Sequence, residues 1–182
     1  MWDIDAQQRV WEFVSLKHAG QTYGGRVEGQ QIPYITHLSS VAHEVLWGWD
    51  HDAGLDLNLA LQCALLHDVI EDTGTSFDEV KHHFGGRVAE GVLALTKNAT
   101  IQGRHAQMED SLRRIKQQSL EIWCVKLGDR ICNLQHPPFY WDEARIETYK
   151  EEARFILSEL GAANQKLAKR LSRKIAEYGK GS

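Results

Sequence analysis

Prolines, cysteines, long apolar runs and excess positive charge are all scarce in this chain. Three prolines, Pro33, Pro137 and Pro138, occur in 182 residues. Long stretches are therefore free of the ring clash and missing N–H that break helices. The three cysteines, Cys63, Cys124 and Cys132, each lie inside an apolar segment. That excludes a disulfide framework and reads as small core residues in a reducing compartment. No apolar stretch approaches the ~20 residues a membrane helix requires, and the first ten residues are polar and charged, so the expected location is the cytoplasm. The formal net charge is −4 and the pI about 6.1. A broad basic groove for a long nucleic acid is not expected, and an anionic ligand must be met locally.

What is present is a chain that is 42% hydrophobic, with apolar residues recurring at three- and four-residue spacing rather than by alternation. We read one all-α domain over residues 1–182, with a core over about 5–160 and a C-terminal helix over about 162–178. The spacing predicts helices over about 3–19, 37–48, 56–72, 76–83, 86–97, 104–117, 120–134, 140–160 and 162–178. Asp56, Ser76 and Gly85 or Gly86 serve as start signals. The segment "GQTYGGRVEGQQ", residues 20–31, carries four glycines and suits a loop lying over a site. The stretch from Lys166 to Lys180 is basic on one face and reads as a solvated amphipathic helix. The six tryptophans, among them Trp47, Trp49 and Trp141, read as core.

Three anomalies stand against this regular background. In "LLHDVIEDTG", residues 65–74, an apolar helix ends in His67, Asp68, Glu71 and Asp72, where burial and the helix dipole both oppose carboxylates. In "EIWCVKLGDRICNL", residues 121–134, Asp129 shares an apolar stripe with Ile122, Val125 and Cys132, flanked by Lys126 and Arg130. A buried carboxylate there needs a cation. In "PYITHLSSVAHEVL", His37 repeats with Val41 and Val45 on the buried face of a helix. One divalent metal held by His37, His67, Asp68 and Asp129 resolves all three. The mixed nitrogen and oxygen set suits Mn, Fe, Co or Zn, and the natural chemistry is metal-assisted hydrolysis. Glu71 and Asp72, one turn beyond, are placed to orient or deprotonate a water or to protonate a leaving oxygen.

At these residues the sequence resembles the HD-domain phosphohydrolases, whose signature is a histidine, an adjacent His-Asp pair and a distant Asp: here His37, His67-Asp68 and Asp129. The words "HAGQ", "PYITH", "ALLHDVIEDT", "FGGRVAEGVLALTK" and "VKLGDRICNL" narrow the resemblance to the hydrolase domain of the RelA/SpoT alarmone family, over about residues 5–160. The resemblance implies a compact helical fold with a metal site between central helices. It also implies one Mn(II) and removal of the 3′-pyrophosphate from ppGpp or pppGpp to give GDP or GTP. It places the metal ligands on His37, His67, Asp68 and Asp129, the catalytic acidic pair on Glu71 and Asp72, and a substrate contact on Asn133. With no room left for a nucleotidyl-transferase domain, the chain most resembles the small stand-alone alarmone hydrolases, which degrade and do not synthesise.

The chain departs from the family where substrate is bound. Its 22–32 segment, "TYGGRVEGQQI", is longer than usual and has only Arg26 basic, and Gln135 and His136 replace a common arginine and threonine. Leu38 and Gly128 replace a proline and an alanine. Tyr23 is the candidate to stack on a base, and Arg26 to pair with a phosphate; Lys17, Arg104, Lys126 and Arg130 are further candidate phosphate contacts. The expected partner is a small phosphorylated nucleotide, with no long nucleic acid and no membrane, and a homo-oligomer is admissible. The alternatives are an HD hydrolase of another phosphorylated nucleotide or small phosphoester, a non-catalytic metal-stapled sensor or interaction module, and a nucleic-acid phosphodiesterase.

Overall fold

The computed structural model describes residues 3–25 and 27–180. Helix α1 (Ile4–Lys17) starts at Asp3, whose side chain accepts from the Ala6 N–H. It is followed by a hairpin of β1 (Thr22–Gly24) and β2 (Gln31–Pro33), antiparallel with Tyr23 opposite Ile32. This hairpin occupies the segment expected as loop and is the sheet found among the described residues. Then come α2 (Ile35–Gly48), α3 (Leu57–Leu66), the single turn α4 (Val69–Asp72), α5 (Phe77–Phe84) and α6 (Gly86–Leu95). The chain ends with α7 (Arg104–Ile115), α8 (Leu120–Asn133), α9 (Glu143–Leu160) and α10 (Gln165–Glu177). The all-α expectation holds, and no helix is long and apolar enough to cross a membrane.

Helix α3 is central, as its nearly all-round apolar surface predicts. Leu59, Ala60, Leu61, Cys63, Ala64, Leu65 and Leu66 are all buried, and the helix packs against α1, α2, α6 and α8. Helices α2 and α8 lie against each other, so His37 and Asp129 approach from two walls of one seam. Gly128 sits in that seam: a Cβ there would meet Val45 Cγ2 at 3.3 Å and the Val41 carbonyl at 3.4 Å. The family's alanine is thus replaced where two backbones approach closely. The three thiols are buried, and burial pushes each up, Cys124 to about 12. They act as core.

The single helix expected over 56–72 is instead two. It starts at Asp56, whose side chain accepts from the Leu59 N–H, but ends at Leu66. Asp68, at φ −104° and ψ 0°, occupies the N-cap position of α4. The break takes Glu71 and Asp72 off the C-terminal end of the long apolar helix and places them in a separate single turn that ends at Asp72. Two other ends shift. Asp142 caps α9 at the Arg145 N–H, so residues 140–142 are not helical, and a 3₁₀ turn over Gly161–Ala163 delays α10 until Asn164 caps it. Asn164 also donates to the Gly48 carbonyl at 2.9 Å, seating α10 on α2. Leu167, Leu171 and Ile175 face inward, Lys169 and Arg173 are exposed, and Arg170 turns to Glu44 of α2.

Candidate active site

His37 lies on the buried face of α2, His67 just past the end of α3, Asp68 beside it, and Asp129 on α8. The structure brings all four together. His37 Nε2 is 3.3 Å from His67 Nε2 and 3.6 Å from Asp129 Oδ1. His67 Nε2 is 3.0 Å from Asp68 Oδ2 and 3.9 Å from Asp129 Oδ1, and His37 Nε2 is 3.8 Å from Asp68 Oδ2. Two ligands ~2.1 Å from one ion stand ~3.0–4.2 Å apart, so these separations suit a shared cation. His37, His67 and Asp129 are each buried, with donor atoms within 4.8 Å of one another.

The surrounding bonds orient these donors. His67 Nδ1 lies 2.8 Å from the Ala64 carbonyl, which can only accept, so Nδ1 carries the proton and Nε2 faces the cluster. The Tyr34 hydroxyl donates to Asp68 Oδ2 at 2.5 Å. Lys126 Nζ reaches Asp129 Oδ2 at 2.8 Å and Asn133 Nδ2 reaches Oδ1 at 2.6 Å. Burial works to raise the carboxyls of Asp68 and Asp129, but His67 beside the first and Lys126 beside the second outweigh it and hold both below the usual range. Burial works to lower His67, yet Asp68 and Asp129 push it up to about 9. The cluster thus holds a proton between acidic groups, the place a divalent cation would take.

The cluster opens into a cavity of about 500 Å³ whose walls include Glu71, Asp72, Lys97, Arg104, Arg130 and Tyr149. Glu71 accepts from the Lys97 backbone N–H at 2.9 Å and from its Nζ at 2.5 Å. Burial works to lower the Lys97 ammonium, but Glu71 raises it. Asp72 Oδ2 accepts from Gln21 Nε2 at 3.4 Å. The acidic pair therefore lines the cavity without joining the donor cluster.

Comparison with known proteins decides the family: the HD-domain pattern matches residues 13–171. This chain belongs to the HD-domain family. The mouse protein named guanosine-3′,5′-bis(diphosphate) 3′-pyrophosphohydrolase MESH1 is 33% identical over 175 residues, 92% of each chain. The Aquifex aeolicus protein named guanosine-3′,5′-bis(diphosphate) 3′-pyrophosphohydrolase is 34% identical over 147 residues, 79% of this chain and 19% of its own length. A solved structure described as a metazoan ortholog of SpoT that hydrolyses ppGpp matches at a TM-score of 0.80, 23% identity and 97% of both chains. That likeness shows the fold. Within the HD family, the chain groups with the MESH1 and SpoT type of hydrolase.

The remaining expected residues of this HD chain divide. A second cavity, of about 610 Å³, borders the first through Tyr34, His37, Asn133 and Tyr149, and Tyr23, Tyr140 and Trp141 add aromatic walls. The Tyr23 ring lies 6.4 Å from that of His37, so the hairpin does lie over the site. Arg26 lies outside the described residues. Lys126 turns inward to Asp129, while Arg130 turns to Tyr149 and Glu152. Lys17 is not a cavity residue: it pairs with Glu79 at 2.7 Å. Trp49 is core, but Trp47 is 60% exposed beneath the Arg170 guanidinium, contrary to the core expectation. The sequence reading missed Tyr34, Lys97 and Glu152. Tyr34 was legible in principle, three residues before His37 on the same helix start; Glu152 carried no local signal.

Proposed function

We propose that this protein is a guanosine-3′,5′-bis(diphosphate) 3′-pyrophosphohydrolase, converting ppGpp or pppGpp to GDP or GTP and pyrophosphate. The observation that carries this reading is the buried donor set of His37, His67 and Asp129 with Asp68 beside it. It opens into a cavity bearing Glu71 and Asp72, in a chain 33% identical to a named ppGpp hydrolase over 92% of both. His37, His67, Asp68 and Asp129 would hold one divalent metal, Mn(II) by the family resemblance. When bound, such a metal supplies Lewis acidity at the phosphoryl group and makes water a stronger acid.

The chain's own groups do the rest. Glu71, fixed by Lys97, accepts the proton of the attacking water at its carboxylate, and Asp72, steadied by Gln21, serves the leaving 3′ oxygen. Asn133 and Lys126 hold Asp129 and face substrate. The aromatic second cavity, with Tyr23 on its wall, takes the nucleoside, and Arg26 remains a proposed phosphate contact. A site of this size suits a small nucleotide and not a long nucleic acid. The reading of the chain as one domain is supported by Asn164 and Leu167, which seat α10 on α2.

The test is to incubate Mn(II)-loaded protein with ppGpp beside a panel of other phosphorylated nucleotides and resolve the products by anion exchange. GDP with pyrophosphate is expected. Cleavage of other members of the panel with ppGpp left intact would move the activity to another substrate of the same chemistry.

A further inference from the structure

One buried imidazole belongs to neither cavity. His18, at the C-terminal end of α1, is 4% exposed and lines neither of them. Its ring stacks on that of Tyr34, with centroids 5.2 Å apart and planes 21° from parallel. Nδ1 stands 2.6 Å from Gln21 Oε1, and Nε2 is buried with no hydrogen-bond partner. Buried N–H groups go unpaired more rarely than buried acceptors do, so the ring proton sits on Nδ1 and is donated to Gln21. The Gln21 amide then keeps its oxygen toward His18 and turns its NH2 to Asp72 Oδ2 at 3.4 Å. The Gln21 main chain is held as well: its N–H donates to the His18 carbonyl at 3.0 Å, and its carbonyl accepts from the Tyr34 N–H at 2.9 Å. One imidazole tautomer thus sets one amide orientation, and that amide meets a carboxylate exposed at the cavity wall.

From this geometry we infer that His18 is a positioning residue for the hydrolytic reaction, acting on Asp72 through Gln21. An apolar ring would stack on Tyr34 and leave no nitrogen unpaired, so packing alone does not account for an imidazole here. The bond to Gln21 does. Without it the Gln21 amide is free to turn over and present its oxygen to Asp72, and the two oxygens repel. The exposed carboxylate then swings away from the cavity. The inference rests on the proposed hydrolase activity, in which Asp72 serves the leaving oxygen, and adds to it a chain of three side chains running inward from beyond the cavity wall. Neither His18 nor Gln21 lines a cavity. The effect therefore belongs in kcat, through the aim of Asp72 in the transition state, and not in substrate binding.

Kinetics of the Mn(II)-loaded protein test this route, with the nucleotide of the panel that the wild type cleaves fastest as substrate. His18→Phe keeps the stack and loses the donor; kcat is expected to fall by about 10–100-fold with KM within about twofold and metal content unchanged. His18→Asn, whose amide nitrogen can stand near the Nδ1 position, is expected to recover kcat to within about threefold of the wild type. Because His18 acts through Gln21, the double variant His18→Phe/Gln21→Ala is expected to be no slower than Gln21→Ala alone. The route is overturned by an unchanged kcat in His18→Phe, a loss confined to KM, a kcat no higher in His18→Asn than in His18→Phe, or multiplied losses in the double variant. Should His18→Phe fail to fold, two readouts decide. Gln21→Glu, which still accepts from His18 but turns an oxygen to Asp72, is expected to lower kcat by about tenfold or more. Nitrogen NMR of the metal-free protein is expected to find the His18 proton on Nδ1. Full kcat in the first, or a proton on Nε2 in the second, overturns the inference. A wild type that cleaves another panel member and leaves ppGpp intact overturns the substrate reading alone, and the same variants still decide His18. Cleavage of no panel member overturns both.

Discussion

Removing the metal is expected to leave a protein whose stability falls as pH rises from about 6.5 to about 9. The cause is His67, whose imidazole titrates near 6.5 when unfolded but is pushed up to about 9 in the fold by Asp68 and Asp129 against burial. A folded-state value raised above the unfolded one stabilises fully below the unfolded value and is lost as pH climbs through the folded value. The gap between 6.5 and about 9, at ~1.4 kcal/mol per pH unit, bounds the loss at roughly 3 kcal/mol. Asp68 and Asp129 act in the opposite direction: both are held below 3.8, so their contribution is present above that pH and lost as pH falls. The metal-free protein is therefore most stable between about pH 4 and 6.5. Urea denaturation in chelator at several pH values measures this directly. Metal rebinding near pH 7.5 must expel the His67 proton, and calorimetry in two buffers of different ionisation enthalpy should find about one proton released per chain. Flat stability from pH 6.5 to 9.5 with no proton release would refute the reasoning.

Four further outcomes are expected. Glu71→Gln should lower kcat by ~10²–10⁴ with metal content by mass spectrometry unchanged, and Lys97→Ala, which frees Glu71 from its 2.5 Å partner, should lower kcat less, by about tenfold. Tyr23→Ala should raise KM while kcat and metal content hold, because its ring walls the aromatic cavity and makes no bond to a cluster donor; a changed metal content with KM intact would contradict this. Gly91→Ala should destabilise by about 1–2 kcal/mol in denaturant titration, since a Cβ would stand 2.6 Å from Ile122 Cδ1 and 2.9 Å from Cys63 Sγ, and overpacking outweighs the gain in helix propensity.

The helices and the donor set were legible in the sequence because both are written in local periodicity. Apolar residues at helical spacing give α2, α3 and α8, and a polar residue breaking such a stripe, as His37 and Asp129 do, is visible without coordinates. The helix ends were less legible. At the break between Leu66 and Val69, His67 Nδ1 bonds back to the Ala64 carbonyl and Asp68 sits at ψ 0°, and both side chains enter the His/Asp cluster, which periodicity does not report.

What only the tertiary structure decided is which charge answers which. Lys126 stands three residues before Asp129 and Arg130 one after it, and the first turns to it while the second turns to Tyr149 and Glu152 on α9. Glu71 and Asp72 follow the donors in sequence but are held apart from them by Lys97 and Gln21, 26 and 51 residues away. Periodicity reports which face of a helix a residue occupies. Partners across a cavity are fixed by how helices cross, and that information is distributed over every packed side chain of the core.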